Sequence, residues 1–210
     1  MIAHLGEFLA VSAVVIITPG PDTVLTVRNS LAGGRGAGMC TGAGVWAGQV
    51  IWALLTAAGM AALLAASRPA FDALRIVGAV YLIFLGLRSA FAAARRRPAG
   101  NGPEGPRPGR LLPATAFGQG MLSNLGNPKM PAFFASLLPQ FAGPGGARTA
   151  ATLALGLAFS AMTLAWLAGY AAVAARAGHF LREPRNQRVL RGICGMALVG
   201  LGTWLATEAG

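Results

Sequence analysis

Six apolar stretches dominate the sequence, at about residues 6–27, 37–66, 70–93, 112–141, 148–175 and 188–207. A helix needs roughly 20 apolar residues to cross the hydrocarbon core of a bilayer, and each stretch meets that length. Lipid offers no hydrogen bonds, so each backbone amide must be satisfied within its own segment, which favours helices. The chain is therefore expected to be an all-α integral membrane protein with six transmembrane helices. With 55% hydrophobic and 11% charged side chains among 210 residues, it leaves no stretch for a large soluble domain. A five-span arrangement with one re-entrant segment is the nearest alternative.

The net charge of +11 invites a nucleic-acid reading, but its placement argues against one. The connections after the first, third and fifth stretches hold 13 arginines against Glu104 and Glu183. The opposite side has Arg68, Arg75 and Arg148 against Glu7, Asp72 and Glu208, and is neutral. The positive-inside rule makes the arginine-rich side cytoplasmic and places both termini outside. Membrane lipid is the expected partner of this surface, and nucleic acid is not.

The chain divides near its middle at a connection rich in Pro, Gly and Arg, residues 95–110. It is expected to form a single transmembrane domain over 1–210. Repeat one covers about 1–93, the cytoplasmic Pro/Arg-rich loop about 94–111, and repeat two about 112–210. Three spans per half make the second half enter from the opposite side, so the repeats are inverted. Arg75, Leu82, Leu85 and Gly86 recur at an offset of 116 as Arg191, Leu198, Leu201 and Gly202, which supports the repeat.

Two ionisable side chains, each beside a proline, interrupt this apolar pattern: Asp22 in Thr18-Pro19-Gly20-Pro21-Asp22, and Lys129 in Asn127-Pro128-Lys129. A charge at mid-bilayer costs about 2.5–3.5 kcal/mol on insertion scales, so such groups lie inside a bundle or along a wet path. Proline removes a backbone donor and frees the carbonyl one turn earlier. Broken helices are thus expected at Pro19/Pro21 and at Pro128, the first span of each half. Secondary transporters use paired breaks of this kind to aim half-helix ends at substrates and ions.

Gln49, Gln119, Ser123, Asn124 and Asn127 add neutral polar groups at membrane depth, either as helix-to-helix hydrogen bonds or as a polar stripe along a path. Gly38, Gly42, Gly44 and Gly48 give small-x-x-x-small spacing, which fits close helix packing within one chain or between the protomers of a homo-oligomer. Trp46, Trp52, Trp166 and Trp204 read as interface anchors or packing. Cys40 and Cys194 form no metal-ligand cluster and read as buried thiols. Nucleotide-loop, hydrolase-elbow and zinc-protease motifs are all missing, so no cofactor and no enzymatic activity are expected, and transport would draw on a gradient.

The Thr18–Asp22 segment, the Arg35-Gly36 turn, the run 81–87, and Asn124-Leu125-Gly126-Asn127-Pro128-Lys129 leading to Leu137-Leu138-Pro139-Gln140-Phe141 together resemble the LysE/RhtB family of amino-acid exporters. The resemblance covers nearly the whole chain, in order. It implies export of amino acids or close derivatives from a bacterial cytoplasm across the cell membrane, driven by the proton-motive force. It does not select the amino acid.

On this reading the substrate-binding or ion-coupling residues are Asp22, Lys129, Asn127, Pro19, Gly20, Pro21, Pro128, Asn124 and Gln49. A zwitterion suits the charged pair: its ammonium would meet Asp22 and carbonyls freed by the prolines, its carboxylate Lys129 and the amides around Asn127. Protonation of Asp22 would couple protons to release. The competing structural role has the pair bind only each other or backbone and hold the bundle shut. A different class of function, a membrane thiol-disulfide conductor using Cys40 and Cys194, is the alternative.

Overall fold

The computed structural model describes residues 5–59, 67–94, 111–127, 129–142, 148–180 and 184–207. Every regular element among them is helical: α1 (Leu5–Ile17), α2 (Pro21–Ala57), α3 (Arg68–Ala94), α4 (Pro113–Leu125), α5 (Lys129–Ala132), a π-helical turn (Phe133–Leu137), α6 (Leu138–Phe141), α7 (Arg148–Phe180) and α8 (Pro184–Thr207). Within these, Pro21–Ala57 and Arg148–Arg176 are long and apolar enough to cross a membrane, and Leu5–Ile17, Ala79–Phe91 and Gly192–Leu201 are shorter apolar helices. The expected connection at 95–110, and Pro128, lie outside the described residues.

The first expected span is broken where proline demands it. Thr18 N still donates to Val14 O at 3.1 Å, but the next donor would be residue 19, which is proline. Gly20 is extended (φ −141°, ψ −172°) and α2 starts at Pro21, whose fixed φ suits a first helical turn. The break is therefore Thr18 to Gly20. Pro21 starts the second half-helix rather than interrupting it.

α2 is not straight. Gly34 has φ 76° and ψ −174°, a region essentially reserved for glycine. On a continuous helix residues 12 apart lie about 18 Å apart. Here Asn29 Nδ2 donates to Thr41 Oγ1 at 2.9 Å, so the chain has doubled back at Gly34. The turn expected at Arg35-Gly36 is thus compressed into a single residue, Gly34, between two antiparallel segments. Replacing Gly34 with Ala is expected to cost about 1–3 kcal/mol, read as a lowered thermal midpoint in detergent, because a Cβ penalises this backbone conformation.

The second break mirrors the first in form. α4 ends at Leu125, and the helix resumes at Lys129, whose N–H donates to Asn127 Oδ1 at 3.1 Å. Asn127 thereby serves as an N-terminal cap. Downstream, the π-turn's i+5 bond from Leu138 N to Phe133 O shifts the helical phase. Consecutive Phe133 and Phe134 both become buried and meet Phe159 of α7, with Phe133 stacked on it at 4.2 Å. Phe8, Trp52, Met130, Leu138 and Leu155 complete this core, so Trp52 is a core residue and not an interface anchor.

α2 packs against α4 and α7, and α3 against α8. The glycines of α2 face neighbours within the chain: Gly42 faces Leu167 of α7, Gly44 the backbone of Phe117, and Gly48 the Asn124 side chain. Their spacing therefore serves intramolecular packing. Polar Asp22, Asn29, Gln49, Gln119, Ser123 and Asn124 are buried, while Val14, Val77, Phe84, Phe91, Val173 and Met196 are exposed. Polar groups inside and large apolar ones outside is the arrangement that lipid favours.

Candidate functional site

The two helix breaks come together, and each supplies what the other lacks. Asp22, in the first turn of α2, accepts hydrogen bonds from Ser123 Oγ (2.7 Å, to Oδ1), Asn124 Nδ2 (2.9 Å, to Oδ2) and Asn127 Nδ2 (3.5 Å, to Oδ2). All three donors lie at or beside the second break. The N-terminal end of α2 adds its partial positive charge to this setting. A buried carboxylate is tolerable here because its oxygens are surrounded by donors.

Lys129 reaches the other way. Its Nζ donates to Val15 O and, at 3.2 Å, to Thr18 O. Val15 O is the carbonyl that Pro19 cannot serve. The ammonium therefore fills the position of a missing backbone N–H at the C-terminal end of α1, where the helix dipole favours a cation. Asp22 accepts from side chains at the second break and Lys129 donates to backbone carbonyls at the first, so the hydrogen bonds of the two charges run to other groups and not to each other.

Both charges line one cavity of about 30 Å³, room for a water or two. Gly20, Gln49, Asn127 and Thr163 also line it, and Met130, Phe159, Trp166 and Leu167 form an apolar wall. Gln49 Nε2 donates to Thr163 Oγ1 at 3.2 Å, and the Thr163 hydroxyl donates to Phe159 O at 3.0 Å. With the Thr163 proton committed, Gln49 Oε1 is left buried with no donor. The cavity lining thus includes both the Asp22 carboxylate and a residue with a buried, unpartnered acceptor.

Of the residues expected from sequence, Asp22, Lys129, Asn127, Gly20 and Gln49 line the cavity. Asn124 holds Asp22 from behind. Pro19 is exposed and Pro21 is buried in the α2 start; they shape the site without lining it. Thr163, Phe159 and Trp166 were not expected in the site, although Ser160 and Thr163 are polar interruptions in the fifth apolar stretch and could have flagged α7. Ser123, expected either to hydrogen-bond a neighbouring helix or to join a polar stripe, donates to Asp22 of α2.

A second polar layer lies beyond the first. Asn29 Nδ2 also donates to Gln119 Oε1 at 2.9 Å, and Arg28 Nη1 donates to Asn29 Oδ1 at 3.2 Å. Arg28, expected in a loop, is thus a half-buried residue of α2. Cys40 and Cys194 are free thiols on α2 and α8.

The family model for LysE type translocators matches residues 13–209. The chain belongs to the LysE translocator family. This translocator is 29% identical over 200 residues to a homoserine/homoserine lactone efflux protein of Salmonella typhimurium, covering 95% of this chain and 94% of that one. It is 28% identical over 201 residues to an uncharacterised membrane protein of Bacillus subtilis (93% and 94% covered), and 31% identical over 199 to one of Pseudomonas aeruginosa (92% and 90%). No solved structure matches. The family match makes the translocator a membrane protein and a transporter, so its exposed apolar surface is the face that meets lipid.

Proposed function

We propose that this translocator is a secondary transporter that exports amino acids or close derivatives from the bacterial cytoplasm in exchange for protons. The observation that carries the reading is one cavity lined by a carboxylate and an ammonium from two facing helix breaks. A zwitterion is the ligand whose charges complement both. Its ammonium would meet Asp22, Gln49 Oε1 and the carbonyls of Val15 and Thr18; its carboxylate would meet Lys129 and the Asn127 amide. Phe159, Trp166 and Met130 would contact the side chain. The name of the Salmonella relative favours a small polar substrate such as homoserine.

The cavity, at about 30 Å³, is too small for an amino acid, so binding one requires it to widen. Transport then requires the helices around it to open alternately to each side. Six spans follow if the Gly34 reversal separates spans one and two and each broken helix counts once. The arginine-rich connections would face the cytoplasm and both termini the outside. Two inverted three-helix repeats, about 1–93 and 112–210, would place the breaks in corresponding first spans. Protonation of Asp22 would weaken its hold on the ammonium and release substrate outward.

The free thiols on α2 and α8 offer no geometry that favours electron conduction. The test is an export screen. Cells fed excess dipeptides, with and without the translocator, are compared for free amino acids outside. One or a few amino acids should accumulate outside several-fold faster, and a protonophore should abolish the difference. No amino acid above the control would sink the proposal.

A further inference from the structure

Lys129 is the only lysine in the chain, and its ammonium rests on carbonyls that the helix break has freed. Val15 O has lost its donor to Pro19, and Thr18 O lies at the extended turn before α2. Two converging backbone oxygens at a helix C-terminal end bind a primary ammonium through charge-assisted hydrogen bonds, whichever molecule carries it. An amino acid's own amine has the same chemistry as the lysine head group. The lysine is also half-buried on a flexible stem, not locked in the core.

We propose that Lys129 is a tethered occupant of the ammonium half of the site. With no substrate its Nζ fills the Val15 and Thr18 carbonyls; an arriving amino acid displaces it, and Lys129 then binds the substrate's carboxylate. This deepens the amino-acid export reading and rests on it. The exchange leaves no group unserved: the carbonyls trade one ammonium for another, and the displaced lysine gains a carboxylate. Lys129 itself lines the cavity, so moving its stem would change the space open to a substrate.

A selectivity rule follows. A simple amine offers the displaced lysine no partner, and a simple carboxylic acid leaves the carbonyls bare. Only a molecule carrying both groups satisfies both sides of the exchange. Orphaned buried groups cost about 1–3 kcal/mol each, so amines and acids alone should bind about tenfold or more weakly than the zwitterion.

The single lysine makes this measurable. In full-length protein in nanodiscs, labelled with 15N at lysine Nζ, side-chain ammonium signal comes from one residue. Homoserine at saturation, its binding followed by thermal shift, should move that resonance, and ethylammonium at equal concentration should not. In Lys129→Ala the vacated carbonyls should bind ethylammonium about tenfold or more tightly than the wild type does. An unmoved resonance while homoserine binds would mean a fixed latch and overturn the proposal, as would no gain of ethylammonium binding in folded Lys129→Ala. If that variant does not fold, the wild-type resonance decides alone. If homoserine and every amino acid active in the export screen fail to bind while ethylammonium still fills Lys129→Ala, the export reading falls and displacement by substrate falls with it, although the carbonyls would stand as an ammonium site.

Discussion

Asp22→Asn is expected to reduce efflux by about tenfold to a hundredfold while the protein remains folded, because a hydrogen bond to a charged group is worth about 1.5–3 kcal/mol. The substitution removes the negative charge and keeps the shape. Ser123 can still donate to the new amide oxygen. The new amide nitrogen would face Asn124 Nδ2, donor against donor, but Asn124 Oδ1 is buried without a partner, so its amide can turn over and accept. Asn127, whose Oδ1 is held by Lys129 N–H, cannot turn in the same way and loses its contact, but that hydrogen bond is long at 3.5 Å, so the network absorbs most of the change. Asp22→Ala has no such route: it strands the Ser123, Asn124 and Asn127 donors, at about 1–3 kcal/mol for each group left buried and unpaired. Labelled amino-acid efflux at matched protein level, with thermal unfolding alongside, separates the two variants. Wild-type efflux in folded Asp22→Asn would remove the carboxylate from the mechanism.

A second large effect is expected at a residue with no side chain at all. A Cβ on Gly120 would strike the Thr41 carbonyl and lie 3.1 Å from Val45 N; one on Gly44 would strike the Phe117 carbonyl and lie 2.9 Å from Met121 N. These are backbone atoms and cannot rotate aside. Gly120→Ala should therefore force α4 away from α2, at about 3 kcal/mol or more, the upper end of overpacking costs. Efflux should fall with stability, since α4 carries Ser123 and Asn124 to Asp22. Gly118, two residues away on the same helix, has nothing within 4 Å of its Cβ position. Gly118→Ala should be neutral or slightly stabilising, because alanine is the better helix former. Equal behaviour of the two variants in a thermal-unfolding assay would contradict this account of the helix crossing.

Much of the framework was legible along the chain. Pro19 marks the end of α1 because its missing N–H acts within one turn. Pro21 marks the start of α2 for a related reason, a φ already set for a helix. Asp22 and Lys129 stand out because apolar surroundings exclude charge wherever the helices happen to pack. A turn was legible at Arg35-Gly36, but not its form as a single-residue reversal at Gly34, since glycine permits several backbone conformations and packing selects among them.

The partners were a different matter. Asp22 and its donors are 101 to 105 residues apart, and Lys129 and its carbonyls 111 to 114. Which acceptor an ammonium finds at that separation depends on where helices cross, and the crossings are set by backbone contacts at Gly44 and Gly120. Thr163 entered the site for the same reason, carried in by α7 packing on α2. Local covalent constraints and the cost of charge in lipid therefore dictated where the helices break and which residues are ionisable inside. Long-range packing dictated that Lys129 rests on the carbonyl Pro19 left bare, and that Asp22 is held by the opposite break rather than by Lys129.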